Sequence, residues 1–469
     1  MSAGDVAALT GGRLEAIASR AIIDGPVVVD SRVCTAGSLF ACVPGEHTDG
    51  HLYVTDAFRR GAVVALASHP VDVPSIVVDD TVRALGFLAG GVLRRTTGCR
   101  VIGVTGSSGK TSTKDLIAAL VARAGSTVAA KASMNNEIGL PLTVLEVEES
   151  TQHLVLEYSA RGIGHIEYLC RIARPAIAVV LNVGTAHLGE FGSREVVAAA
   201  KGELIEALPS DGLAVLCVDD PLVAAMRART SAPTVGFGRA PDADVRVEDL
   251  TLDESARPRF RLVTPDGSTP VAMQLTGAHQ AINASAAAAV GLAVGMSVDE
   301  IGDVLSEVSA VSPHRMQVTT RGDGLIVLDD AYNANPESVR VALDALATVS
   351  AGRAGSSWAV LGEMRELGAD GADLHAEVGR HAAGLGIDHL VVVGDDAQAI
   401  AVGARAVSDW DGDVEVVPSA EDATALLDDS ATGSDVVLVK ASNALSLWRI
   451  AEALLRHDRH VGATDEVGR

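Results

Sequence analysis

The chain has 469 residues, of which 48% are hydrophobic and 21% are charged. At roughly 150 residues per domain, this length predicts about three domains. Lys and Arg number 37 against 61 Asp and Glu, and the resulting net charge of −24 argues against nucleic-acid binding, which relies on basic side chains. Only 3% of residues are aromatic, which also argues against stacking platforms for single strands.

The cysteines and the N-terminal residues help to predict the cellular compartment of the protein. The five cysteines are scattered and never spaced as Cys-x-x-Cys, which predicts neither a disulfide framework nor a zinc cluster. The N-terminal residues lack the basic and apolar segments of a signal peptide. The uncharged stretch 267–298 is interrupted by Pro270, His279 and other polar residues, so it does not predict a membrane span. We expect a cytoplasmic monomer.

Short β-rich runs with helical stretches between them occupy the first part of the chain. This pattern is typical of a small α/β module. The runs are Val27 to Asp30, Ser38 to Val43, Val63 to Ala67 and Ser75 to Val78.

The second part begins with a buried-strand run, Val101 to Thr105, and an amphipathic helix from Ser112 to about Ala124. Further strands alternate with helical segments, which predicts a mostly parallel sheet with helices on both faces. They are predicted at Leu154 to Leu156, Ala178 to Asn182 and Ala214 to Val218.

A third alternating block follows a break at Ser312-Pro-His-Arg. Its strands are predicted at Leu325 to Leu328, Trp358 to Leu361, His389 to Val393 and Val436 to Val439. The sequence therefore predicts an α/β protein of three domains: a small N-terminal module (residues 1–95), a central P-loop-type domain (96–311) and a C-terminal Rossmann-like domain (312–469).

The segment from Gly106 to Thr111, Gly-Ser-Ser-Gly-Lys-Thr, joins the predicted strand to the predicted helix. Glycines in this setting allow backbone N–H groups to surround phosphate oxygens, Lys110 supplies a positive charge, and the Thr111 hydroxyl is a ligand for Mg²⁺. The general P-loop pattern has a glycine at the place of Val104, so this loop is a variant form. ATP or GTP binding is the first functional inference.

The loop Thr105-Gly-Ser-Ser-Gly-Lys-Thr resembles that of the Mur ligase family, the ATP-dependent amide-bond-forming enzymes of peptidoglycan assembly. Further matching segments occur in the family's order. They are Asn135-Asn-Glu-Ile-Gly-Leu-Pro, Asn182-Val-Gly-Thr-Ala-His-Leu, Ala200-Lys-Gly-Glu-Leu, Asp329-Asp-Ala-Tyr-Asn-Ala-Asn-Pro and Gly362-Glu-Met-x-Glu-Leu-Gly. Within the family, the chain is most similar to the branch that adds D-alanyl-D-alanine to UDP-N-acetylmuramoyl-tripeptide.

The resemblance implies that ATP and Mg²⁺ activate the tripeptide carboxylate as an acyl phosphate, which the amine of D-alanyl-D-alanine attacks. The N-terminal domain would bind the uridine nucleotide, the central domain ATP, and the C-terminal domain the amine. Two alternatives remain: a related ligase that joins another amine to another carboxylate, and a P-loop binding protein without ligase activity.

The resemblance also implies a catalytic and metal-binding set. Glu157 ends a predicted strand, where ligands bind in open parallel sheets, and its carboxylate suits Mg²⁺. By resemblance His187 binds a second metal ion, and Lys201 carries CO₂ as a carbamate, which requires a depressed lysine pKa. The catalytic set is Lys110, Glu157, His187 and Lys201, and the metal set is Thr111, Glu157, His187 and Lys201.

Further residues are assigned by resemblance to the nucleotide and the substrate. The nucleotide contacts comprise the loop, two residues on one helix face and two at the start of the third domain: Thr105, Gly106, Ser107, Ser108, Gly109, Lys110, Thr111, Ser112, His279, Asn283, Arg315 and Asp330. The substrate contacts are Ser31 and Arg32 for the uridine diphosphate and Asn135 and Asn136 for the muramoyl-peptide. Tyr332, Asn333 and Asn335 are either substrate contacts or turn formers before Pro336.

The chain departs from the family pattern at two places near these residues. Tyr158-Ser159 replace Met-Gly after Glu157, and we expect them to alter the cavity beside the metal. Ala441 and Asn443 replace Gly and Arg in the family's Lys-Gly-Ser-Arg turn, which bears on the pocket of the incoming amine.

Overall fold

The structure is a computed structural model that describes residues 1–45, 48–184, 188–310 and 312–456. Its strands form three sheets of five, nine and six strands in the order of the chain. The prediction of a three-domain α/β architecture is confirmed. Within the described ranges, every helix is too short or too polar to cross a bilayer, and the five cysteines are free thiols.

The first sheet has the strand order β1-β5-β4-β3-β2 and is parallel except for the pair β1 and β5. The four predicted strands are present, and one more, β1, pairs at the edge. The strands are β1 Arg13–Glu15, β2 Val27–Val28, β3 Ser38–Ala41, β4 Ala62–Ala67 and β5 Ser75–Val77. The α-helices are α1 Ala3–Thr10, α2 Val54–Arg59 and α3 Thr81–Arg95.

The second sheet has the order β14-β13-β12-β11-β10-β9-β6-β8-β7. It is parallel from β7 to β12 and ends in the antiparallel strands β13 and β14. Its strands are β6 Arg100–Thr105, β7 Thr127–Ala129, β8 His153–Glu157, β9 Ile177–Val180, β10 Leu213–Cys217, β11 Thr234–Gly238, β12 Val245–Leu252, β13 Pro258–Thr264 and β14 Gly267–Ala272.

Helices cover the central sheet. They are α4 Lys110–Ala124, α5 Gly139–Val144, α6 His165–Ile172, α7 Leu188–Phe191, α8 Arg194–Glu206, α9 Pro221–Ala224, α10 His279–Ala293 and α11 Val298–Glu307. The uncharged stretch 267–298 therefore divides into β14 and α10. Helix α10 packs against α4, and its residues from Ala286 to Val290 are buried, which is why they carry no charge.

The third sheet has the order β15-β16-β20-β17-β18-β19 and is parallel except for β15 and β16. The strands are β15 Gln317–Thr320, β16 Ile326–Asp329, β17 Ser357–Gly362, β18 His389–Val393, β19 Asp413–Val417 and β20 Val436–Lys440. The helices are α12 Pro336–Ser350, α13 Gly371–Gly384, α14 Gln398–Arg405, α15 Ala420–Ser430 and α16 Trp448–Arg456. Parallel strands align their carboxyl ends, so the loops after β16, β17 and β20 meet at one edge.

Candidate active site

A cavity of about 900 Å³ lies between the central and C-terminal sheets. The central domain contributes the loop 107–112 and the residues that follow β8, β9 and β10, while the C-terminal domain contributes the loops after β16, β17 and β20. Since both sheets direct strand carboxyl ends toward it, the cavity occupies the position where open α/β sheets bind ligands.

The loop before α4 has the geometry of an anion cradle. Ser107 N and Ser108 N both donate to Asn182 Oδ1 at 2.9 Å, so a side chain from the end of β9 holds the turn. Gly109 has φ +79°, and a Cβ there would lie 2.8 Å from Asn283 Oδ1, so this position requires glycine. The loop opens directly into the N-terminus of the 15-residue helix α4, which favours negative charge.

Lys110 lies inside this loop and donates from Nζ to Gly106 O at 2.8 Å. Burial lowers its pKa, against an opposing contribution from Glu157 and an additional lowering by Arg315. Its charge is therefore held close to the loop, in surroundings of low polarity where an anion would interact with it strongly.

Thr111 and Glu157 form an oxygen-rich pair beside the loop. Thr111 Oγ1 donates to Glu157 Oε2 at 3.0 Å, and Asn135 Nδ2 donates to Glu157 Oε1 at 2.7 Å. Glu157 is 1% exposed at the end of β8. A hydroxyl and a carboxylate are ligands that Mg²⁺ prefers, so these donors suit that ion. Within residues 1–45, 48–184, 188–310 and 312–456, no group of three His, Cys, Asp or Glu side chains could hold a metal.

Lys201 is a buried lysine on α8, close enough to Lys110 for their charges to repel. Burial lowers its pKa well below the usual value, and the charge of Lys110 lowers it further. In the described part of the chain no acceptor takes a hydrogen bond from its Nζ. Burial and a neighbouring positive charge both favour the neutral amine that carbamate formation requires. His187, the other predicted metal ligand, lies outside the described residues.

The third domain reaches directly into the loop region through Arg315. Arg315 Nη2 donates to Thr111 Oγ1 at 3.2 Å and to Ser133 Oγ at 3.0 Å. Its guanidinium lies over the Tyr332 ring, 4.1 Å from the centroid. The sequence did not predict Ser133 as a site residue, because its contact is with Arg315, 182 residues away in the chain.

Asp330 organises the neighbouring part of the cavity. It accepts hydrogen bonds from Met316 N at 3.0 Å and from the buried Lys440 Nζ at 2.5 Å. His279 lies close to this pair, and burial lowers its pKa to about 4, so the imidazole is neutral at pH 7. In the described structure its Nδ1 is buried without a hydrogen-bond partner. A buried ring nitrogen without a partner is suited to contact a ligand in the cavity.

Of the remaining residues predicted to contact nucleotide or substrate, some line the cavity and others do not. Tyr332, Asn333, Asn335 and Asn283 line the cavity, although Asn335 also caps α12 through a hydrogen bond from Ser338 N at 2.8 Å. Asn136 is exposed, does not line the cavity, and accepts from Gly139 N at 2.8 Å at the start of α5. Thr105 and Gly106 lie at the base of the loop and do not line the cavity.

Ser31 and Arg32 belong to the N-terminal domain, outside this cavity. They follow β2 at the carboxyl edge of the first sheet. Ser31 Oγ donates to Asp56 Oδ2 at 2.9 Å, and Arg32 pairs with Asp30 while 80% of its side chain stays exposed. An exposed planar fork at this edge is suited to a diphosphate.

The expectation about Tyr158 is wrong. Its side chain is fully buried and packs beside Gly103, and its hydroxyl donates to Ala173 O at 2.5 Å. The ring therefore lies in the core, where strand alternation directs it away from the cavity that Glu157 and Ser159 approach.

Comparison with known proteins finds relatives that match up to 98% of the chain. Three family models match: "Mur ligase family, catalytic domain" at residues 26–89, "Mur ligase middle domain" at 104–291, and "Mur ligase, glutamate ligase domain" at 314–443. The UDP-N-acetylmuramoyl-tripeptide--D-alanyl-D-alanine ligase of Mycobacterium tuberculosis (strain H37Rv) is 44% identical over 98% of both chains. The enzyme of that name from Escherichia coli (strain K12) is 35% identical over 80% of this chain and 82% of its own.

Two solved structures are also similar. MurF from Acinetobacter baumannii has a TM-score of 0.85 and 30% identity, and covers 97% of this chain and 99% of its own. MurF ligase from Thermotoga maritima, solved in complex with ADP, has a TM-score of 0.78 and 31% identity, and covers 91% of this chain and 96% of its own.

Proposed function

The chain belongs to the Mur ligase family, and we propose that it joins D-alanyl-D-alanine to UDP-N-acetylmuramoyl-tripeptide at the expense of ATP. The products are UDP-N-acetylmuramoyl-pentapeptide, ADP and phosphate, a step in the cytoplasmic assembly of peptidoglycan precursors. The observation that carries this function is the identity of 44% over 98% of both chains with a ligase of that name. The cavity shared by a phosphate-binding loop and the third domain supplies the matching geometry.

The reaction needs two transfers in one water-poor site. In the first, a carboxylate oxygen of the tripeptide attacks the terminal phosphorus of ATP, and ADP leaves. In the second, the dipeptide amine attacks the acyl carbon, loses a proton, and displaces inorganic phosphate. The loop 106–111 and Lys110 hold the phosphates in place, so that catalysis is mainly positioning and charge stabilisation.

Thr111 and Glu157 are the residues that we assign to Mg²⁺, with Asn135 orienting the Glu157 carboxylate. When bound, the ion neutralises charge on the transferring phosphoryl group. We extend the assignment to Lys201 as a carbamate, because its buried position and the charge of Lys110 favour the neutral amine that reacts with CO₂. The proposed nucleotide contacts are His279, Asn283, Arg315 and Asp330, and Ser31 and Arg32 are assigned to the uridine diphosphate.

A phosphate-release assay tests the function. Purified protein is given ATP, Mg²⁺ and UDP-N-acetylmuramoyl-tripeptide while the amine is varied among D-alanyl-D-alanine, L-alanyl-L-alanine and single amino acids. We expect stimulation by D-alanyl-D-alanine alone, with a pentapeptide product detected by mass spectrometry. Stimulation by another amine would indicate a related ligase, and nucleotide binding without amine-dependent release would indicate a non-catalytic protein.

Contact between the central and C-terminal domains would shield the acyl phosphate from water, and Gly189 and Gly368 form part of this contact. Gly189 N donates to Glu366 O at 3.2 Å, across the boundary between the central and C-terminal domains. A Cβ at Gly189 would lie 2.6 Å from Gly368 N, a distance that the two backbones cannot accept. The two backbones approach this closely only because Gly189 lacks a side chain.

Gly189→Ala is therefore expected to lower turnover roughly 5- to 150-fold, the equivalent of the roughly 1–3 kcal/mol that overpacking costs. The melting temperature should stay within about 2 °C, because Gly189 is exposed and the contact joins two folded domains. Gly384→Ala is the matched control, since nothing lies within 4 Å of a Cβ there. Equal turnover in the two variants would contradict a role of this contact in catalysis.

A further inference from the structure

The incoming dipeptide carries a carboxylate that must be bound while its amine reacts. The cationic side chains that line the cavity differ in how many of their hydrogen-bond donors are already engaged. Among the described residues, five cationic side chains line the cavity: Lys110, Arg161, Arg315, Arg365 and Lys440. Lys110 serves the phosphate loop, Arg315 contacts Thr111 and Ser133, and Lys440 is buried against Asp330. The two remaining cations are Arg161 and Arg365.

The backbone of Arg365 is held in the wall of the cavity by hydrogen bonds between two loops. Its N–H donates to Ser442 Oγ at 3.0 Å, which ties the loop after β17 to the loop after β20. Ser442 N in turn donates to Glu363 O at 3.2 Å, and Met364 N donates to His375 Nε2 at 2.9 Å. The position of Arg365 is therefore fixed before any ligand binds, which reduces the entropy lost on binding.

The guanidinium of Arg365 keeps most of its donors available. Nε donates to Glu363 Oε2 at 3.0 Å, and within the described residues neither Nη atom donates to an acceptor. About half of the side chain, 52%, is exposed. Arg161 faces Glu366 Oε1 at 4.0 Å and belongs to the central domain, whereas Arg365 belongs to the C-terminal domain, to which the family resemblance assigns the amine. On the neighbouring turn, Asn443 lines the cavity without a charge.

We propose that Arg365 binds the C-terminal carboxylate of the incoming dipeptide through its two Nη atoms and thereby selects a free acid over a blocked one. A planar guanidinium matches a carboxylate with two parallel hydrogen bonds, which a lysine or an asparagine does not provide. The dipeptide amine then lies in the same cavity as the phosphate loop. This inference rests on the proposed function, because it assumes that the amine substrate carries a carboxylate.

The test compares D-alanyl-D-alanine with its C-terminal amide in the phosphate-release assay, using the full-length protein and its Arg365→Gln variant. The wild-type protein should use the amide with a KM higher by roughly 10- to 100-fold, the value expected for hydrogen bonds to a charged group. Arg365→Gln should raise the KM for the acid by the same factor and remove the preference. The KM values for ATP and the uridine nucleotide should stay unchanged, which also shows that the variant is folded.

Arg161→Gln is the matched comparison, because it removes the rival cation by the same substitution. The preference for the acid should survive in Arg161→Gln. If the preference survives in Arg365→Gln, or is lost in Arg161→Gln instead, the inference is overturned. Where turnover of a variant is too slow, calorimetric binding of the acid and the amide gives the same comparison. Absence of any dipeptide-stimulated phosphate release by the wild-type protein would contradict the proposed function itself, a distinct result.

Discussion

Lys110→Met is expected to lower the rate of phosphate release by roughly 100- to 1,000-fold, the cost of removing one preorganised donor that stabilises developing charge. Among the residues that the structure describes, Lys110 Nζ donates only to carbonyl oxygens of its own loop, Gly106 O at 2.8 Å and Ser107 O at 3.5 Å. The substitution therefore removes a half-buried charge without breaking an ion pair, so the melting temperature should change little. Steady-state assays at saturating ATP, with circular dichroism melts, measure both quantities.

Lys114→Met is the control, since Lys114 lies one turn further along α4 and is a lysine that does not line the cavity. Lys114 pairs with Asp115 at 2.7 Å, and Asp115 accepts from Ser312 Oγ at 2.7 Å, so its loss leaves a carboxylate without its cation. We expect a loss of stability of about 3 kcal/mol and a turnover within about tenfold of wild type for the folded protein. The assignment of Lys110 fails if Lys110→Met keeps more than about a tenth of wild-type turnover.

Local patterns were sufficient for the phosphate loop and for most parallel strands. The segment from Gly106 to Thr111 has its strand and helix directly beside it, so its geometry follows from neighbouring residues alone. Runs such as Val436 to Val439 are buried on both faces and are therefore apolar throughout, which makes them visible without knowledge of their partners.

The antiparallel end of the central sheet could not be predicted from such apolar runs. Strands β12 to β14 are partly exposed, and their sequences mix charged and apolar residues, as in Arg246, Glu248 and Arg261. Glu248 pairs along β12 with Arg246, whose Nη2 lies 2.5 Å from Glu248 Oε1, and across strands with Arg261 on β13. Such stabilisation depends on register, which a single sequence does not reveal.

Contacts between domains could not be predicted from local sequence patterns either, because their partners lie far apart in the chain. Arg315 and Thr111 are 204 residues apart, and only the family resemblance predicted that they belong to one site. Ser133, Arg365 and the Gly189 edge carried no sequence signal, because a serine, an exposed arginine or a glycine has many ordinary roles. Their importance arises from the partner that the fold brings to them.

Lys201→Ala is expected to reduce phosphate release roughly 100-fold or more, because it would remove a metal ligand whose supporting partners alone are commonly worth 10- to 100-fold. The argument starts from charge. An alkylamine adds CO₂ only when neutral, and the reaction releases one proton as the carbamate anion forms. Burial and the nearby Lys110 lower the pKa of Lys201 well below its usual value, which favours the neutral amine.

A carbamate ligand can be distinguished from a merely buried lysine by two measurements. Acetate or propionate should partly restore turnover in Lys201→Ala, because a free carboxylate can occupy the space of the missing carbamate, whereas chloride at equal ionic strength should not. Wild-type protein equilibrated with ¹³C-bicarbonate should show a carbamate carbon resonance that is absent in Lys201→Ala. Lys131→Ala, which removes an exposed lysine paired with Glu146, should behave as wild type in both experiments. Undiminished turnover in Lys201→Ala, or a resonance that survives the substitution, would contradict the carbamate assignment while leaving the nucleotide-binding role of Lys110 intact.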